Sequence, residues 1–348
     1  MKIIHTGDIH IGGAFLGLPK RKAELRKREL ISNFATLCSY AKQTGVDAVI
    51  IAGDLFDKKE VTATEKREVF SAIASASPVA FYLVFGNHDA DTDIRAFAPE
   101  NLYLFDDFSM YEIGEVRIGG MDFKAFSPEK IPVFSKDKWN ILALHGEVGT
   151  EIPLGELAGK NIDYLALGHI HKPMPVKEKL DTRGYYRYCG CLEGRGFDET
   201  GARGFFLLEI ERGRIQNERF LSFAKRTVVE IAVDISACAT YLEVENACLS
   251  ALANAKAEDM VKLNLIGKHA PDLRKDISLL TERLQERCFF VKIHDESGVA
   301  IDYQAYENDV TERGEFIREV GRYEMSERLR QEILEVGLKA LGGEEIDL

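Results

Sequence analysis

Five short apolar segments, each followed at once by polar residues that can bind a metal ion, constrain the fold of this chain more than any other feature. They are Lys2–His5, Asp47–Ala52, Val79–Phe85, Trp139–Leu144 and Tyr164–Leu167. Between the first three, residues Glu24–Gln43 and Thr62–Ser75 space their apolar side chains three and four residues apart, which predicts helices. Strands that alternate with helices are typical of an α/β sheet covered by helices, and ligands of such sheets gather beyond the carboxyl ends of the strands.

The polar residues after these strands form five motifs. They are Gly7-Asp8-Ile9-His10, Gly53-Asp54-Leu55-Phe56-Asp57, Gly86-Asn87-His88-Asp89, His145-Gly146-Glu147 and Gly168-His169-Ile170-His171. Asp, Asn and His supply ligands suited to manganese, iron or zinc, and glycine lets the backbone turn sharply beside a site. Each motif alone is more often a turn or a chance match than a metal site. Five of them after five apolar strands predict a metal site.

The number of ligands predicts two ions. Two metals about 3.5 to 4 Å apart need a shared ligand, and a carboxylate with two oxygens can bridge them. Asp54 is the predicted bridge. The pairs Asp8/His10 and His169/His171 have i, i+2 spacing, so an extended segment would project both members of each pair to one side.

This ordered set of motifs resembles the calcineurin-like metallophosphoesterase superfamily over residues 1 to about 171. Within it, residues 53–57, 168–173 and 188–210 are most similar to the SbcD-type and YhaO-type DNA repair nucleases. The resemblance implies fold class α/β (α+β), a four-layer sandwich of mixed sheets flanked by helices, with a small α+β capping domain and C-terminal helices. It also implies two ligand sets that share Asp54: one ion held by Asp8, His10, Asp54 and His171, the other by Asp54, Asn87, His145 and His169.

The resemblance further implies catalytic roles for two residues that are not ligands. His88 resembles the histidine that contacts the phosphate and helps the leaving oxygen depart. Asp57 stands where archaeal and eukaryotic relatives have His, and it is expected to orient and charge-stabilise His88. The alternative is that Asp57 caps the helix beginning near Thr62. Manganese is the expected cofactor, with iron, zinc or magnesium as alternatives, since the site mixes carboxylate with imidazole.

Three domains are predicted: a nuclease domain (1–224), a small α+β domain (225–302) and C-terminal helices (303–348). The second half of the chain reads strand, helix, strand, helix, strand at Val228–Val233, Thr240–Ala253, Met260–Ile266, Asp272–Glu286 and Phe289–His294. The C-terminal helices, ended by Gly342-Gly343, carry two apolar stripes that need a cover: Phe316, Ile317, Val320 and Tyr323; and Leu329, Ile333, Leu334, Val336, Leu338 and Leu341. The resemblance suggests an SbcC-like coiled-coil ATPase as the cover. The alternatives are packing on the chain's own domain and a homodimer.

Charge argues mildly against DNA as a partner, because the net charge of −12 repels phosphate at long range. Half of it lies in residues 304–348, which hold 12 acidic and 6 basic residues. A basic cluster near the first motif is predicted to contact DNA, with a solvated helix face as the alternative: Lys20, Arg21, Lys22, Arg26, Lys27 and Arg28.

The predicted function is a two-metal DNA nuclease, exonuclease or endonuclease, in DNA repair or recombination, which attacks a backbone phosphate in line with a metal-activated water. One alternative is a phosphatase or cyclic-nucleotide phosphodiesterase. Against a phosphatase, Ala90-Asp91 follows the third motif where that group has an arginine. The other is a non-catalytic scaffold, which the complete set of seven ligands disfavours. With no membrane-spanning run, Asp8 in the position of a signal-peptide core, and six cysteines without a CxxC pair, a cytoplasmic protein is expected.

Overall fold

The structure is a computed structural model that describes residues 1–57, 61–89, 94–300, 306 and 308–341, without the side chains of residues 96 and 339. The chain forms two compact units, Met1–Thr227 and Val228–Leu348, and each is described by itself. The C-terminal helices belong to the second unit. The three-part division at residues 225 and 303 remains a prediction.

The strands of the first unit make two sheets. In chain order they are β1 (Lys2–Thr6), β2 (Ala48–Ala52), β3 (Ala80–Val84), β4 (Leu102–Phe105), β5 (Ser109–Ile113), β6 (Val116–Gly120), β7 (Trp139–His145), β8 (Tyr164–Gly168), β9 (Glu178–Lys179), β10 (Tyr185–Tyr188), β11 (Gly204–Glu211) and β12 (Arg214–Ser222). The five apolar segments of the sequence are β1, β2, β3, β7 and β8, so that prediction is confirmed.

Both sheets mix parallel and antiparallel pairs. The first has the order β12-β11-β1-β2-β3-β4, in which β1 to β4 are parallel and β11 and β12 antiparallel. The second has the order β5-β6-β7-β8-β10-β9, parallel from β6 to β10. The sheets pack face to face through buried residues of both, such as Ile3, Ile50, Ile141 and Ala166.

Helices cover the outer faces unequally. Helices α1 (Lys20–Gln43) and α2 (Ala63–Ser75) pack on the first sheet through Leu30, Phe34 and Ile73. The second sheet is covered by the single turn α3 (Leu154–Leu157) and by loops that include a 3-10 helix at Pro128–Lys130. Another 3-10 helix lies at Arg95–Phe97. The predicted sandwich of mixed sheets flanked by helices is confirmed, with a thin fourth layer.

Local chemistry explains where the two long helices begin. Helix α1 begins at Lys20, before the predicted Glu24, and the amides of Lys22 and Ala23 in its first turn donate to the Pro19 carbonyl. Basic residues in its first turn oppose the helix dipole, which hid this start from the sequence pattern. Helix α2 begins after Thr62, whose hydroxyl accepts the amide of Glu65 while the Glu65 carboxylate accepts the amide of Thr62. The alternative that Asp57 caps this helix is therefore wrong.

The second unit begins with a small α+β fold. Its elements in chain order are β13 (Val228–Asp234), α4 (Tyr241–Ala251), a 3-10 helix (Leu252–Asn254), β14 (Met260–Ile266), β15 (Lys268–His269), α5 (Ile277–Leu284), β16 (Phe290–Asp295) and β17 (Gly298–Val299). Strands β13, β14 and β16 form a parallel sheet, and β15 pairs with β17. The predicted order is confirmed. Helix α5 starts later than Asp272, because the Asp276 carboxylate accepts the amide of Leu279 and caps it there.

Two further helices, α6 (Glu312–Arg322) and α7 (Glu327–Leu341), pack on each other. Their shared core is Ile317, Val320 and Leu334, which are buried. Part of the predicted apolar stripes is thus covered within the unit. Exposed apolar side chains remain at Tyr323, Leu329, Val336 and Leu341. The predicted C-cap at Gly342-Gly343 lies outside the described residues.

No helix in the described part of the chain is long and apolar enough to cross a lipid bilayer. The cysteines are free thiols.

Candidate metal centre

The five motifs lie on loops at the carboxyl ends of β1, β2, β3, β7 and β8, so both sheets contribute to one site. Four ligand candidates have left-handed backbone conformations, with φ of 50° at Asp8, 54° at His10, 53° at Asp54 and 100° at His169. The expectation of an extended Asp8–His10 segment is therefore wrong. The amides of Ile9 and His10 instead both donate to the Asp54 carbonyl, which folds the first loop onto the second. Such conformations cost energy and concentrate at functional sites.

Asp54 lies between the two predicted ligand sets. Its Oδ2 atom is 3.5 Å from His10 Nε2 and 3.3 Å from His145 Nε2. Its Oδ1 atom accepts the backbone amide of His88 at 2.8 Å. One carboxylate oxygen thus faces a histidine from each set, which is the position that a bridging ligand requires.

The first ligand set converges from three loops. His10 Nε2 and His171 Nε2 are 3.1 Å apart, and Asp8 lies with both in a cluster of possible ligand atoms. His171 Nδ1 donates to Glu199 Oε1 at 2.5 Å. The proton on His171 is therefore at Nδ1, and its Nε2 lone pair faces His10.

The second ligand set meets at His145, the last residue of β7. Its Nδ1 donates to the Ala52 carbonyl at 2.9 Å, which turns Nε2 toward Asn87 Oδ1 at 3.0 Å and His169 Nδ1 at 3.4 Å. The two oxygens of Asp8 accept the His169 amide at 2.9 and 3.1 Å. The structure thus brings all seven predicted ligands together. Lone pairs that face one another at these distances repel unless a cation or a proton lies between them, so the donor set fits divalent ions.

Burial and charge set the ionisation of these groups. Burial alone would lower the pKa of His145, but its hydrogen bond with Asp54 and the charge of Asp54 raise this pKa to about 9. Burial also raises the pKa of Asp8, and it lowers the pKa of His10 to about 2, with the Arg195 charge acting in the same direction. A proton on His145 therefore balances Asp54 when no ion is bound. A metal ion that binds to His145 must displace this proton.

His88 and Asp57 lie at the border of the centre. The ring of His88 meets that of His10 edge to face, with centroids 4.8 Å apart. His88 Nδ1 is 3.5 Å from Asp57 Oδ2, and 44% of the His88 side chain is exposed. The predicted catalytic pair is thus adjacent, with the histidine open to a substrate.

Three residues that contact the predicted ligands or their loops were assigned no role from the sequence. Asp89 is buried and accepts the amides of Leu55, Phe56 and Gly86, which ties the second motif to the third. Burial, with the nearby Asp54 charge, raises the pKa of Asp89 to about 7. The others are Glu199 and Arg195. Their position within residues 188–210, a stretch already similar to the nucleases, was the available signal.

The basic cluster of α1 does not act as one surface. Arg26 is fully buried, and its guanidinium binds Glu29 Oε2 at 2.9 Å, Glu193 Oε2 at 2.8 Å and the Gly194 carbonyl at 3.0 Å. The prediction that Arg26 contacts DNA is wrong, because its guanidinium is buried and paired with two glutamates inside the protein. Lys22 and Lys27 are half-buried and have partners of their own. The exposed members are Lys20, Arg21 and Arg28. Ala90 and Asp91, used against a phosphatase, lie outside the described residues.

A double sheet that carries two ligand sets around a shared carboxylate defines a metallophosphoesterase with a dimetal site. Residues 1–173 match the family model described as Calcineurin-like phosphoesterase, and this part of the chain belongs to that family. The resemblance drawn from the motifs is confirmed. Members of the family bind two divalent metals, and the Asp and His residues above are the candidates for holding them.

Three curated relatives extend this comparison. "Uncharacterized metallophosphoesterase YhaO" of Bacillus subtilis is 26% identical over 63% of this chain and 59% of that protein. "DNA double-strand break repair protein Mre11" of Methanosarcina mazei is 23% identical over 85% of this chain and 52% of that protein. A relative from Staphylococcus epidermidis, which is by its name one component of the nuclease SbcCD, is 22% identical over 66% of this chain and 72% of that protein. The chain thus spans between half and three fifths of the first two relatives.

Proposed function

We propose that this protein is a two-metal DNA nuclease that hydrolyses phosphodiester bonds in DNA repair or recombination. The observation that carries the proposal is the complete ligand set, in which Asp54 Oδ2 faces both His10 and His145. Relatives named as a double-strand break repair protein and as a component of a nuclease support DNA as the substrate. Manganese is proposed as the metal, because the site mixes carboxylate with imidazole.

The side chains around the site suit hydrolysis without a covalent enzyme intermediate. Two divalent ions would supply the Lewis-acid activation of water and the neutralisation of phosphate charge. Asp57, close to Nδ1 of His88, favours a proton at that nitrogen and leaves Nε2 of the half-exposed ring for the substrate. His88 would hold a proton there for the leaving oxygen, a role that contributes about 10²- to 10⁴-fold in rate.

A substrate panel tests the proposal. The purified protein, with added manganese, is given single-stranded DNA, hairpin DNA, a phosphomonoester and a cyclic nucleotide, with the Asp54→Ala variant as a control for contaminating nucleases. We expect the fastest turnover on DNA and none after chelation. Faster turnover of the phosphomonoester or the cyclic nucleotide would assign the site to that substrate. Full metal content without turnover of any substrate would favour a binding scaffold.

The second unit is proposed to bind a partner. Leu329, Val336 and Leu341 of α7 and Tyr323 in the turn that precedes it remain exposed to water, with 62% of Tyr323 accessible. We propose an SbcC-like coiled-coil ATPase as the partner, because one relative is by its name a component of SbcCD. A homodimer through the same apolar side chains is the alternative. DNA contact through Lys20, Arg21 and Arg28 completes the proposal.

A further inference from the structure

One arginine beside the metal centre has no role in the ligand sets. Arg195 lies in the loop between β10 and β11, and it is half-buried. A Cβ atom built on Gly13 would lie 2.9 Å from Arg195 Nη1, 3.0 Å from the His10 carbonyl oxygen and 3.5 Å from Asp57 Oδ2. The guanidinium therefore packs over the turn that follows ligand His10, on the side where Asp57 approaches His88.

The same loop is fixed to the metal centre by Glu199. Its Oε1 atom accepts Nδ1 of ligand His171, and its Oε2 atom accepts the backbone amide of Arg195, each at 2.5 Å. The amide of Cys191 also donates to the His171 carbonyl at 3.0 Å. One buried carboxylate thus sets the position of a metal ligand and of Arg195 together.

The N–H donors of the Arg195 guanidinium are available to a ligand. Within the described residues it forms no ion pair or hydrogen bond, and its Nε atom is buried without an acceptor. Two buried arginines of this unit instead have carboxylate partners: Arg26 binds two glutamates, and Arg187 binds Glu218 at 2.9 Å. A buried donor without an acceptor is costly, so a ligand oxygen is the expected partner.

We propose that Arg195 binds a non-bridging oxygen of the scissile phosphate beside the metal centre, and that Glu199 is the positioning residue that holds Arg195 and His171 in this arrangement. A guanidinium presents N–H donors in a planar fork that matches two phosphate oxygens, and it stays charged at any working pH. This inference rests on the proposed hydrolysis of a phosphoester at the same site. It adds a cationic contact on the His10 side of the centre.

Inorganic phosphate is the probe, because it carries the oxygens of the scissile group without the rest of a substrate. Its dissociation constant is measured by calorimetry with the manganese-loaded full-length protein, and bound metal is counted in the same samples. Arg195→Gln is expected to keep both metals and to weaken phosphate binding at least tenfold. Arg195→Lys restores part of the loss, since it returns the charge without the fork. Arg183→Gln, at an exposed arginine paired with Asp163, is the matched control and behaves as the wild type.

Turnover of bis(p-nitrophenyl) phosphate, a diester with a single phosphate, supplies the second measurement. Loss of one preorganised donor to the reacting phosphate lowers the rate by about 10²- to 10³-fold, and we expect Arg195→Gln to lower kcat/KM by about that factor. Unchanged phosphate binding and turnover in Arg195→Gln would overturn the inference. Loss of a metal from that variant would overturn the inference as well, because Arg195 would then act by holding the metal ligands in place and not by binding phosphate.

Glu199→Gln separates positioning from binding. An amide has one acceptor oxygen for two donors, so this variant is expected to weaken both metal and phosphate binding, whereas Arg195→Gln weakens phosphate binding alone. If Glu199→Gln binds metal and phosphate as tightly as the wild type does, the positioning role of Glu199 is rejected. The phosphate measurement does not depend on DNA as substrate. Wild-type protein that binds phosphate through Arg195 but leaves DNA intact would reject the proposed nuclease and keep this inference.

Discussion

At the scale of single residues, Asp54 and His88 are predicted to have different roles: Asp54 binds metal, and His88 acts in catalysis. Asp54 Oδ2 faces a histidine of each predicted ligand set, whereas His88 contacts the centre through its backbone amide and an edge-to-face contact between its ring and that of His10. Asp54→Ala is expected to lose bound metal and activity together. His88→Ala is expected to keep both metals and to lose turnover by about 10²- to 10⁴-fold. Measurement of metal stoichiometry and of rate in the same samples tests both expectations. Loss of a metal from His88→Ala would show that His88 is a ligand.

Gly86 sets the position of the Asp54 carboxylate, the predicted bridge. A Cβ atom on Gly86 would lie 2.2 Å from Asp54 Oδ1, a distance that no side chain could tolerate without moving the carboxylate. We expect Gly86→Ala to weaken metal binding by roughly 10- to 100-fold, the usual effect of disturbing a group that orients a ligand. Gly155→Ala is the control, because a Cβ there would meet no atom within 4 Å. Equal metal affinity of the two variants would contradict this account of Gly86.

The candidate ligands could be found from the sequence, and the residues that support them could not. Each ligand stands in a short motif after an apolar strand, which is visible in the sequence itself. Glu199 lies 28 positions from its partner His171, and no local pattern reports that contact. The left-handed conformations of Asp8 and His10 depend on hydrogen bonds to the Asp54 carbonyl, a contact between separate loops. In its proposed role, Arg195 would supply an arginine that the third motif lacks, so that motif alone does not separate a diesterase from a phosphatase.

At the scale of elements, α1 divides its basic residues between surface and interior. Reversal of the exposed charges, by Lys20→Glu, Arg21→Glu and Arg28→Glu together, is expected to weaken DNA binding and flatten its salt dependence. The slope of log affinity against log salt falls by about 0.9 for each lost phosphate contact on duplex DNA, hence by up to about 3. Binding measured at several salt concentrations tests this. An unchanged slope would mean that these residues form a solvated helix face and do not contact DNA.

Two controls sharpen that measurement. Reversal of Lys136, Lys179 and Arg214, which are exposed and lie outside α1, changes the net charge equally and should leave the slope closer to that of the wild type. Arg26→Gln should instead lower stability by about 3 to 5 kcal/mol, because it leaves buried carboxylates without their cation. The buried state of Arg26 was not predictable, since Glu193 is 167 residues away and the helical pattern of α1 marks charged residues as exposed.

At the scale of the whole molecule, a buried histidine couples stability to pH. His5 of β1 is fully buried, and its Nδ1 atom lies 2.7 Å from the Tyr164 hydroxyl of the second sheet. Burial lowers the pKa of His5 from 6.5 to about 3. The unfolded chain therefore binds a proton below pH 6.5 that the folded protein excludes. This contribution to stability is complete above pH 6.5 and falls with decreasing pH by about 1.4 kcal/mol per unit until pH reaches the folded pKa.

Comparison with His5→Asn isolates the pH-dependent contribution of His5 to the free energy of unfolding, because Asn keeps a polar group near the Tyr164 hydroxyl and does not titrate. The free energy of unfolding of both proteins is measured by denaturant titration at pH 7.5 and at pH 5.5. We expect the wild type to lose more stability between these values than the variant, by about 1.4 kcal/mol for the unit below pH 6.5. Equal losses would mean that His5 is protonated in the folded protein or that it does not contribute.

Deletion of residues 304–348 tests whether partner binding and catalysis belong to separate parts of the chain. The predicted metal ligands all lie in the first unit, whereas α6 and α7 pack on each other and belong to the second. We expect the truncated protein to keep metal-dependent cleavage of short DNA and to lose association with a coiled-coil ATPase encoded nearby, measured by co-purification. Equal binding by full-length and truncated chains would reject the proposed partner surface.

Point variants exclude misfolding as the cause of lost association. Leu329 and Val336 are seven residues apart on α7, so they share one helix face, and 46% and 42% of their surfaces are exposed. Leu329→Glu with Val336→Glu is expected to abolish ATPase binding in the full-length chain, because charged side chains would have to be buried at the contact. Arg328→Glu, at a side chain 90% exposed on the same helix, is the control and should bind as the wild type. If the double variant instead keeps the ATPase and dissociates a dimer of this chain, the apolar face serves self-association.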